Sequence, residues 1–461
     1  MTQPNILLIH SDQHRFDALG CNGHSVVQTP NLDRLAAEGV NYTNAFTPTP
    51  ICTPARGSLI TGAWPTAHGA TNITGAETYR PMRDDFITVF ELLKQADYDI
   101  RYVGKFHEET EKAPDSYGVD EFIPAGEYWS WREKQGCNPP PGRNGWFGDV
   151  DDEITADQSR LAWGADTAKR MMEDASKGDK PFFVRWDPPE PHLPNNVPEP
   201  YHSMYPSDQV PPWPSSGDPM ESKPYVQWLQ QKRWGVEDWS WQEWAPAVSR
   251  YLGDISLLDA QVGKLLDALD EFGVAENTLV IYTTDHGDFC GGHGLMDKHF
   301  AGYDDIMRVP LIMRWPGKLP QAYECDVFSV HEIDVATTLC KAADVEPPEE
   351  QFRGCDLVGA ANGTVHVPRE DIFSMYQGCQ MGLWSLRMVR DTRYKFIYHA
   401  TDKPELYDLQ NDPGELDNRA DDPAYSEEVK RLRERTIAWM EDISDPLLNQ
   451  WTRYQLSRGI W

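Results

Sequence analysis

Two short apolar runs stand out along the chain because each ends abruptly in polar side chains of the kind that bind ligands. Residues 5–13 read Asn-Ile-Leu-Leu-Ile-His-Ser-Asp-Gln, and residues 279–288 read Leu-Val-Ile-Tyr-Thr-Thr-Asp-His-Gly-Asp. Continuous apolar runs of this length predict strands buried on both faces of a parallel sheet. The carboxyl ends of such strands are where open α/β sheets gather ligands. Asp12 and Gln13 stand at one of these ends, Asp285 and His286 at the other.

The intervening pattern alternates strands with helices. Thr29, Pro30 and Gly39 bracket a helix with the expected start and stop residues. Asp84 or Asp85 opens another, with Phe86, Val89, Phe90 and Leu93 at helical spacing. Tyr98–Val103 reads as a strand, residues 157–175 as a helix and Pro181–Trp186 as a strand. A long helix runs through Tyr251, Leu258, Leu265 and Leu269. This alternation predicts an α/β fold: a large, mostly parallel sheet flanked by helices on both faces.

Residues 126–150 and 196–246 are rich in Trp, Pro and Gly, lack a clean period, and are expected to be loop insertions over the catalytic edge. Most of their tryptophans (129, 131, 213, 228, 234, 239 and 241) are expected to pack the loops onto the body, leaving few for a pocket wall. After about residue 366 the pattern changes to short strands at 372–376, 386–389 and 394–398, then a helix over 426–440. The expected division is a catalytic domain over 1–365 and a smaller C-terminal domain over 366–461, with a short antiparallel sheet and a helix. The aromatic tail from Trp451 to Trp461 reads as a docking surface for a second copy of the chain, a homo-oligomer contact.

Residues 52–56, Cys-Thr-Pro-Ala-Arg, place a cysteine where a proline starts a helix. Free backbone N–H groups there favour an anionic ligand. Arg56 returns to the face of Cys52 about one turn later. This run resembles the Cys-x-Pro-x-Arg signature of type I sulfatases, in the alkaline phosphatase superfamily. Further matches in family order are Thr29–Asp33, Gly104–His107, Pro191–Pro194, Gly294–Lys298, Val309–Ile312 and Glu405–Leu409.

The resemblance implies that Cys52 is oxidised to formylglycine (3-oxoalanine) by a formylglycine-generating maturation enzyme. Hydrated, the aldehyde offers one hydroxyl to attack sulfur and a second whose deprotonation expels sulfate. It also implies one divalent metal held by Asp12, Gln13, residue 52, Asp285 and His286. Arg56 would hold the modified side chain, and His107 of the Lys105/His107 pair would take the proton that drives elimination. His192 and Lys298 resemble groups that bind the sulfate and protonate the leaving oxygen; either is a candidate general acid, because a lysine beside a metal and an arginine can have its pKa lowered.

Calcium is the expected ion. Manganese is the alternative, because Gln13 and His286 replace the harder ligands of many relatives. The same two substitutions resemble the phosphonate monoester and phosphodiester hydrolase branch, the runner-up reading. Lys105 and His107 favour the sulfatase branch. An idle, metal-stabilised binding protein is a third reading.

Composition narrows the substrate. The chain of 461 residues carries 73 acidic side chains against 42 Lys and Arg, a net charge of −31. Such a surface repels nucleic acid, anionic membranes and long polyanions, so a small or singly sulfated ester is expected. No stretch approaches the roughly 20 apolar residues of a membrane span. The start, Met1-Thr2-Gln3-Pro4, lacks secretory-signal features, and a cytoplasmic location is expected. Eight cysteines form no Cys-x-x-Cys pair. Apart from Cys52 they are expected to be small core residues.

Overall fold

The computed structural model describes residues 3–73, 80–107, 112–378 and 380–461. Eight strands form the large sheet: β1 (Asn5–Ser11), β2 (Val40–Tyr42), β3 (Asp99–Gly104), β4 (Glu121–Pro124), β5 (Phe182–Asp187), β6 (Thr278–Thr284), β7 (Leu311–Arg314) and β8 (Tyr323–Cys325). Their spatial order is β4-β3-β5-β1-β6-β7-β2-β8. Strands β4, β3, β5, β1 and β6 are mutually parallel, and β7 runs antiparallel between β6 and β2. The expected α/β sheet is therefore present, as a mixed and mostly parallel one.

The apolar runs are continuous because both faces of the sheet are covered. Ile6 and Leu8 pack into one core, while Leu7 and Ile9 pack into the opposite one. Leu279 and Ile281 divide from Val280 and Tyr282 in the same way. Each such fully buried side chain contributes about 1.5–3 kcal/mol. Helices α1 (Pro30–Ala37), α4 (Arg160–Ser176) and α5 (Trp241–Glu271) cover one face. The other is covered by α2 (Cys52–Thr61), α3 (Val89–Gln95) and α6 (His331–Ala342). Among the described residues no helix is long and apolar enough to cross a membrane.

Several sequence expectations are corrected. Helix α3 starts at Thr88, not at Asp84 or Asp85: the Thr88 hydroxyl and the Glu91 carboxylate form a reciprocal capping box, and Phe86 lies before the helix. The insertions are not free of structure. Glu127–Lys134 and Tyr225–Trp234 are helical, and α5 already begins at Trp241 behind a Ser240/Glu243 capping box. Cys290, Cys325 and Cys340 are buried as expected, whereas Cys21, Cys137 and Cys355 are only half-buried. Cys379 lies outside the described residues.

The C-terminal sheet is a four-stranded antiparallel meander: β9 (Ile372–Gly378), β10 (Trp384–Arg390), β11 (Tyr394–His399) and β12 (Glu405–Asp408). The fourth strand coincides with the Glu405–Leu409 landmark. Leu432, Trp439 and Met440 of helix α7 (Ser426–Asp442) share a core with this sheet and with Phe46, Ile51 and Phe300 of the larger body. That packing brings Gln380 and Met381, in the β9–β10 connection, to the carboxyl edge of the large sheet. The tail folds as helix α8 (Gln450–Arg458), with Leu456 buried and Trp451 and Tyr454 exposed.

Candidate active site

The site is built from strand ends. Asp12 follows β1 and Asp285 follows β6, adjacent strands paired in parallel register from Asn5↔Thr278 to Ser11↔Thr284. Their carboxylates therefore emerge side by side. Cys52 opens α2, whose ten residues are all buried and whose first turn has no side-chain cap.

Cys52 Sγ lies 3.8 Å from Asp12 Oδ1 and 3.3 Å from His286 Nε2. Ligand atoms of Asp12, Cys52, Asp285 and His286 all fall within 4.8 Å of one another, and all four residues are buried. His286 Nδ1 faces the Gly287 carbonyl at 2.9 Å, so its N–H belongs there and the Nε2 lone pair turns to the cluster. Two carboxylates, an imidazole and a sulfur converging at buried positions is a donor set that fits a divalent cation.

Arg56 organises this set from below. Its Nη2 donates to Asp12 Oδ2 at 3.1 Å, its Nε to Asp285 Oδ2 at 3.0 Å and its Nη1 to Asp187 Oδ2 at 2.6 Å. Asp187, at the end of β5, is a site residue that the sequence reading did not single out. It carried the same signal as Asp12 and Asp285, a carboxylate ending a buried apolar strand.

Lysines close the other side. Lys105 Nζ donates to Asp12 Oδ2 at 2.5 Å. Lys298 Nζ donates to Gln13 Oε1 and to His192 Nε2, both at 2.7 Å, and sits 3.1 Å from Asp297 Oδ1. His192 Nδ1 meets the Leu193 carbonyl at 2.6 Å. Imidazole Nε2 is therefore the acceptor for the Lys298 ammonium.

Gln13, with φ 65°, donates its amide to Asp288 Oδ2 at 2.7 Å and Asp297 Oδ1 at 3.1 Å. Its backbone N–H reaches Asp285 Oδ1 at 3.1 Å. The Gln13 side chain thus spans from the strand end to Lys298, and its oxygen faces the ammonium.

Charge follows geometry. Burial alone would raise the Cys52 thiol, but Lys105, Lys298, His286 and a hydrogen bond with His107 carry it well below the ordinary thiol range. Burial and the Cys52 thiolate oppose ionisation of Asp12, yet Lys105, His192 and Arg56 hold it well below the usual carboxylate range. Lys298 reverses expectation. Burial would lower it, but Asp297, Cys52, Asp12 and Asp285 together hold it well above an ordinary lysine. The expected lowering fails because a carboxylate, not another cation, is its direct neighbour.

The cluster forms the floor of a cavity of about 620 Å³ whose lining includes Cys52, Lys105, His107, His192, Asp297 and Lys298. Of the seven tryptophans considered from the sequence only Trp234 lines it, joined by Trp146. Trp213 instead packs against α5, whose first residue is Trp241, and Trp239 packs against Trp244 and Phe147.

Fold and site together define an ester hydrolase of the alkaline phosphatase-like architecture. The family described as Sulfatase matches residues 4–345, and one described as N-sulphoglucosamine sulphohydrolase, C-terminal, matches residues 291–442. The chain belongs to the sulfatase family and is a sulfuric ester hydrolase.

It is 28% identical to the uncharacterized sulfatase YidJ of Escherichia coli strain K12, covering 100% of this chain and 91% of the relative. It is also 28% identical to an arylsulfatase of Clostridium perfringens, covering 95% of each. Among solved structures, a phosphonate monoester hydrolase of Agrobacterium radiobacter superposes with a TM-score of 0.80 at 25% identity, over 97% of both chains.

Proposed function

We propose that the chain hydrolyses a sulfate monoester of a small or singly sulfated alcohol, sugar or aryl compound, through a formylglycine made from Cys52 and one divalent cation. One observation supports this reading above the rest: Cys52 Sγ sits among Asp12, Asp285 and His286 on the floor of a cavity lined by Lys105, His107, His192 and Lys298. Asp12, Asp285, His286 and the side chain of residue 52 would hold the ion. Gln13 Oε1, with a lone pair beyond the one Lys298 uses, would be a fifth donor. Calcium suits the carboxylates, and His286 makes manganese the alternative.

The chemistry such a cation would supply, when bound, is polarisation of a sulfate oxygen and acidification of the attacking hydroxyl. Formylglycine supplies that hydroxyl as a geminal diol, whose second hydroxyl permits release of sulfate. The chain's own residues do the rest. Arg56 holds one oxygen of each of the Asp12 and Asp285 carboxylates, fixing both groups beside residue 52. Lys105 offsets the charge of the sulfate oxygens. His107, hydrogen-bonded to side chain 52, would accept the proton whose loss expels sulfate. Lys298, kept protonated by Asp297, would give a proton to the departing oxygen, with His192 Nε2 holding its ammonium in line. The one partner this reading requires is the enzyme that oxidises Cys52.

A second substrate class follows from Gln13 and His286, together with the likeness to the phosphonate monoester hydrolase. The test is a pair of kcat/KM values, measured on protein co-produced with a formylglycine-generating enzyme, for an aryl sulfate and the matching aryl phosphonate monoester. The sulfate is expected to be the better substrate. A clear preference for the phosphonate overturns the assignment.

A further inference from the structure

The outer wall of the cavity carries an arrangement that sulfate chemistry does not use. Arg233 lies in the last turn of the helix Tyr225–Trp234, exposed and lining the cavity. Its neighbour Lys232 pairs with Glu237 at 2.7 Å. Arg233 itself makes no hydrogen bond or ion pair with any described residue. In a chain with 73 acidic side chains against 42 basic ones, a guanidinium left without a carboxylate at the mouth of an anion site is a free anion receptor.

Two aromatic rings line the same cavity. Trp234 is half-buried, and Trp146 is 58% exposed. The turn that carries Trp146 is pinned rather than loose. Arg250 Nε and Nη2 donate to the Phe147 carbonyl at 3.0 and 2.9 Å, and the Phe147 ring packs edge-on to Trp234 with centroids 5.8 Å apart.

One turn before Arg233, Gln230 supplies a third element. It also lines the cavity and is only 2% exposed. Both N–H groups of its amide are engaged, with the Met296 and Lys298 carbonyls at 2.9 Å each. That engagement fixes which end of the amide is nitrogen. Its Oε1 is buried and has no partner among the described residues. A buried acceptor without a donor is costly and calls for a ligand.

Resting on the sulfatase reading, we propose that the ester alcohol is a sugar bearing a second anionic group, a carboxylate or a further sulfate. Arg233 pairs with that group, Gln230 Oε1 accepts from a ring hydroxyl, and Trp146 and Trp234 contact the apolar face of the ring. Recognition of a short, doubly anionic ester is consistent with the net charge of −31, which opposes only long polyanions.

The test uses the full chain co-produced with a formylglycine-generating enzyme. Three esters with the sulfate at one ring position are compared: a neutral hexose sulfate, the corresponding uronic acid sulfate and a disulfated hexose. In the native protein kcat/KM should favour one of the doubly anionic esters over the neutral one by about tenfold or more. Which of the two is favoured identifies the second group.

Arg233→Gln should collapse that ratio toward one, chiefly through KM, and Arg233→Lys should restore part of it. A ratio near one in the native protein, or a ratio unchanged in Arg233→Gln, overturns the inference while sulfate release from the neutral ester leaves the sulfatase reading standing. Release from none of the three, with rapid cleavage of an aryl phosphonate ester by the same preparation, overturns both.

Discussion

Arg56 and Asp12 meet through one edge only: Nη2 of the guanidinium lies 3.1 Å from Asp12 Oδ2, and Asp12 Oδ1 is left facing Cys52 Sγ at 3.8 Å. The same guanidinium takes Asp285 Oδ2 and Asp187 Oδ2. A single buried fork therefore sets three carboxylates and aims two of them at residue 52. Its one positive charge offsets only part of the three carboxylates, and Lys105 on Asp12 and Arg185 on Asp187 share the rest.

Replacing that fork should separate charge from geometry. Arg56→Lys keeps a cation but cannot bridge three carboxylates. Metal affinity and kcat are expected to fall by about 10–100-fold, the usual effect of losing a residue that orients metal ligands. Arg56→Ala removes the shared partner of three buried carboxylates, leaving Asp12 to Lys105 and Asp187 to Arg185 and depriving Asp285 of its guanidinium, with a loss of about 3–5 kcal/mol in stability. Metal titration and denaturant unfolding of the two variants check this; native-like metal affinity in Arg56→Lys would contradict it.

The Lys298 ammonium is read as the donor to the leaving oxygen, so its loss should depend on the leaving group. In Lys298→Met, turnover of an alkyl sulfate should fall by about 10²–10⁴-fold. Turnover of an aryl sulfate with a stable phenolate should fall far less. A series of esters spanning leaving-group pKa gives the slope, which should steepen in the variant. An unchanged slope assigns the proton to another group.

Stability should also respond to pH through Asp254. This carboxyl on α5 is fully buried near Glu190, whose backbone carbonyl accepts from Asp12 N at 3.3 Å. Burial, then the charge of Glu190, raises its pKa to about 8. A raised carboxyl pKa in the fold means that the folded state binds the proton more tightly than the unfolded chain. The stabilising contribution is complete below the ordinary carboxylate range and is lost as pH rises toward about 8. Asp254→Asn, which cannot ionise, should gain on the native protein by about 1–3 kcal/mol across that interval. Thermal unfolding at a series of pH values checks the sign; a gain that shrinks as pH rises would contradict it.

Much of this site was legible in the chain because its residues sit at discontinuities in pattern. Asp12 and Asp285 end unbroken apolar runs, and Cys52 precedes a helix-starting proline. What sequence could not supply was the partner of each group. Asp297 directly precedes Lys298, but adjacency in the chain does not say whether that carboxylate turns to the ammonium or away from it, and the two arrangements move the lysine pKa in opposite directions. Asp187 was readable in principle and went unnoticed because its strand continues into a proline-rich loop.

The helix containing Gln230, Arg233 and Trp234 lacked the one-sided apolar stripe by which surface helices are read. It packs through buried glutamines, Gln227, Gln230 and Gln231, so polar contacts rather than periodicity hold it over the site. The start of α3 was misplaced for a related reason. Asp84, Asp85 and Thr88 are all good caps, and only the Thr88/Glu91 pairing selects among them.

The central claim is that a cation and an oxidised residue 52 converge on one sulfate. Anomalous diffraction from crystals of the protein co-produced with a formylglycine-generating enzyme, grown with manganese, measures this directly. The account predicts one strong peak in contact with Asp12, Asp285, His286 and residue 52, and density at that residue for an oxygen-bearing side chain in place of the thiol. A peak away from these four residues, or a thiol at position 52 in fully active protein, would contradict it.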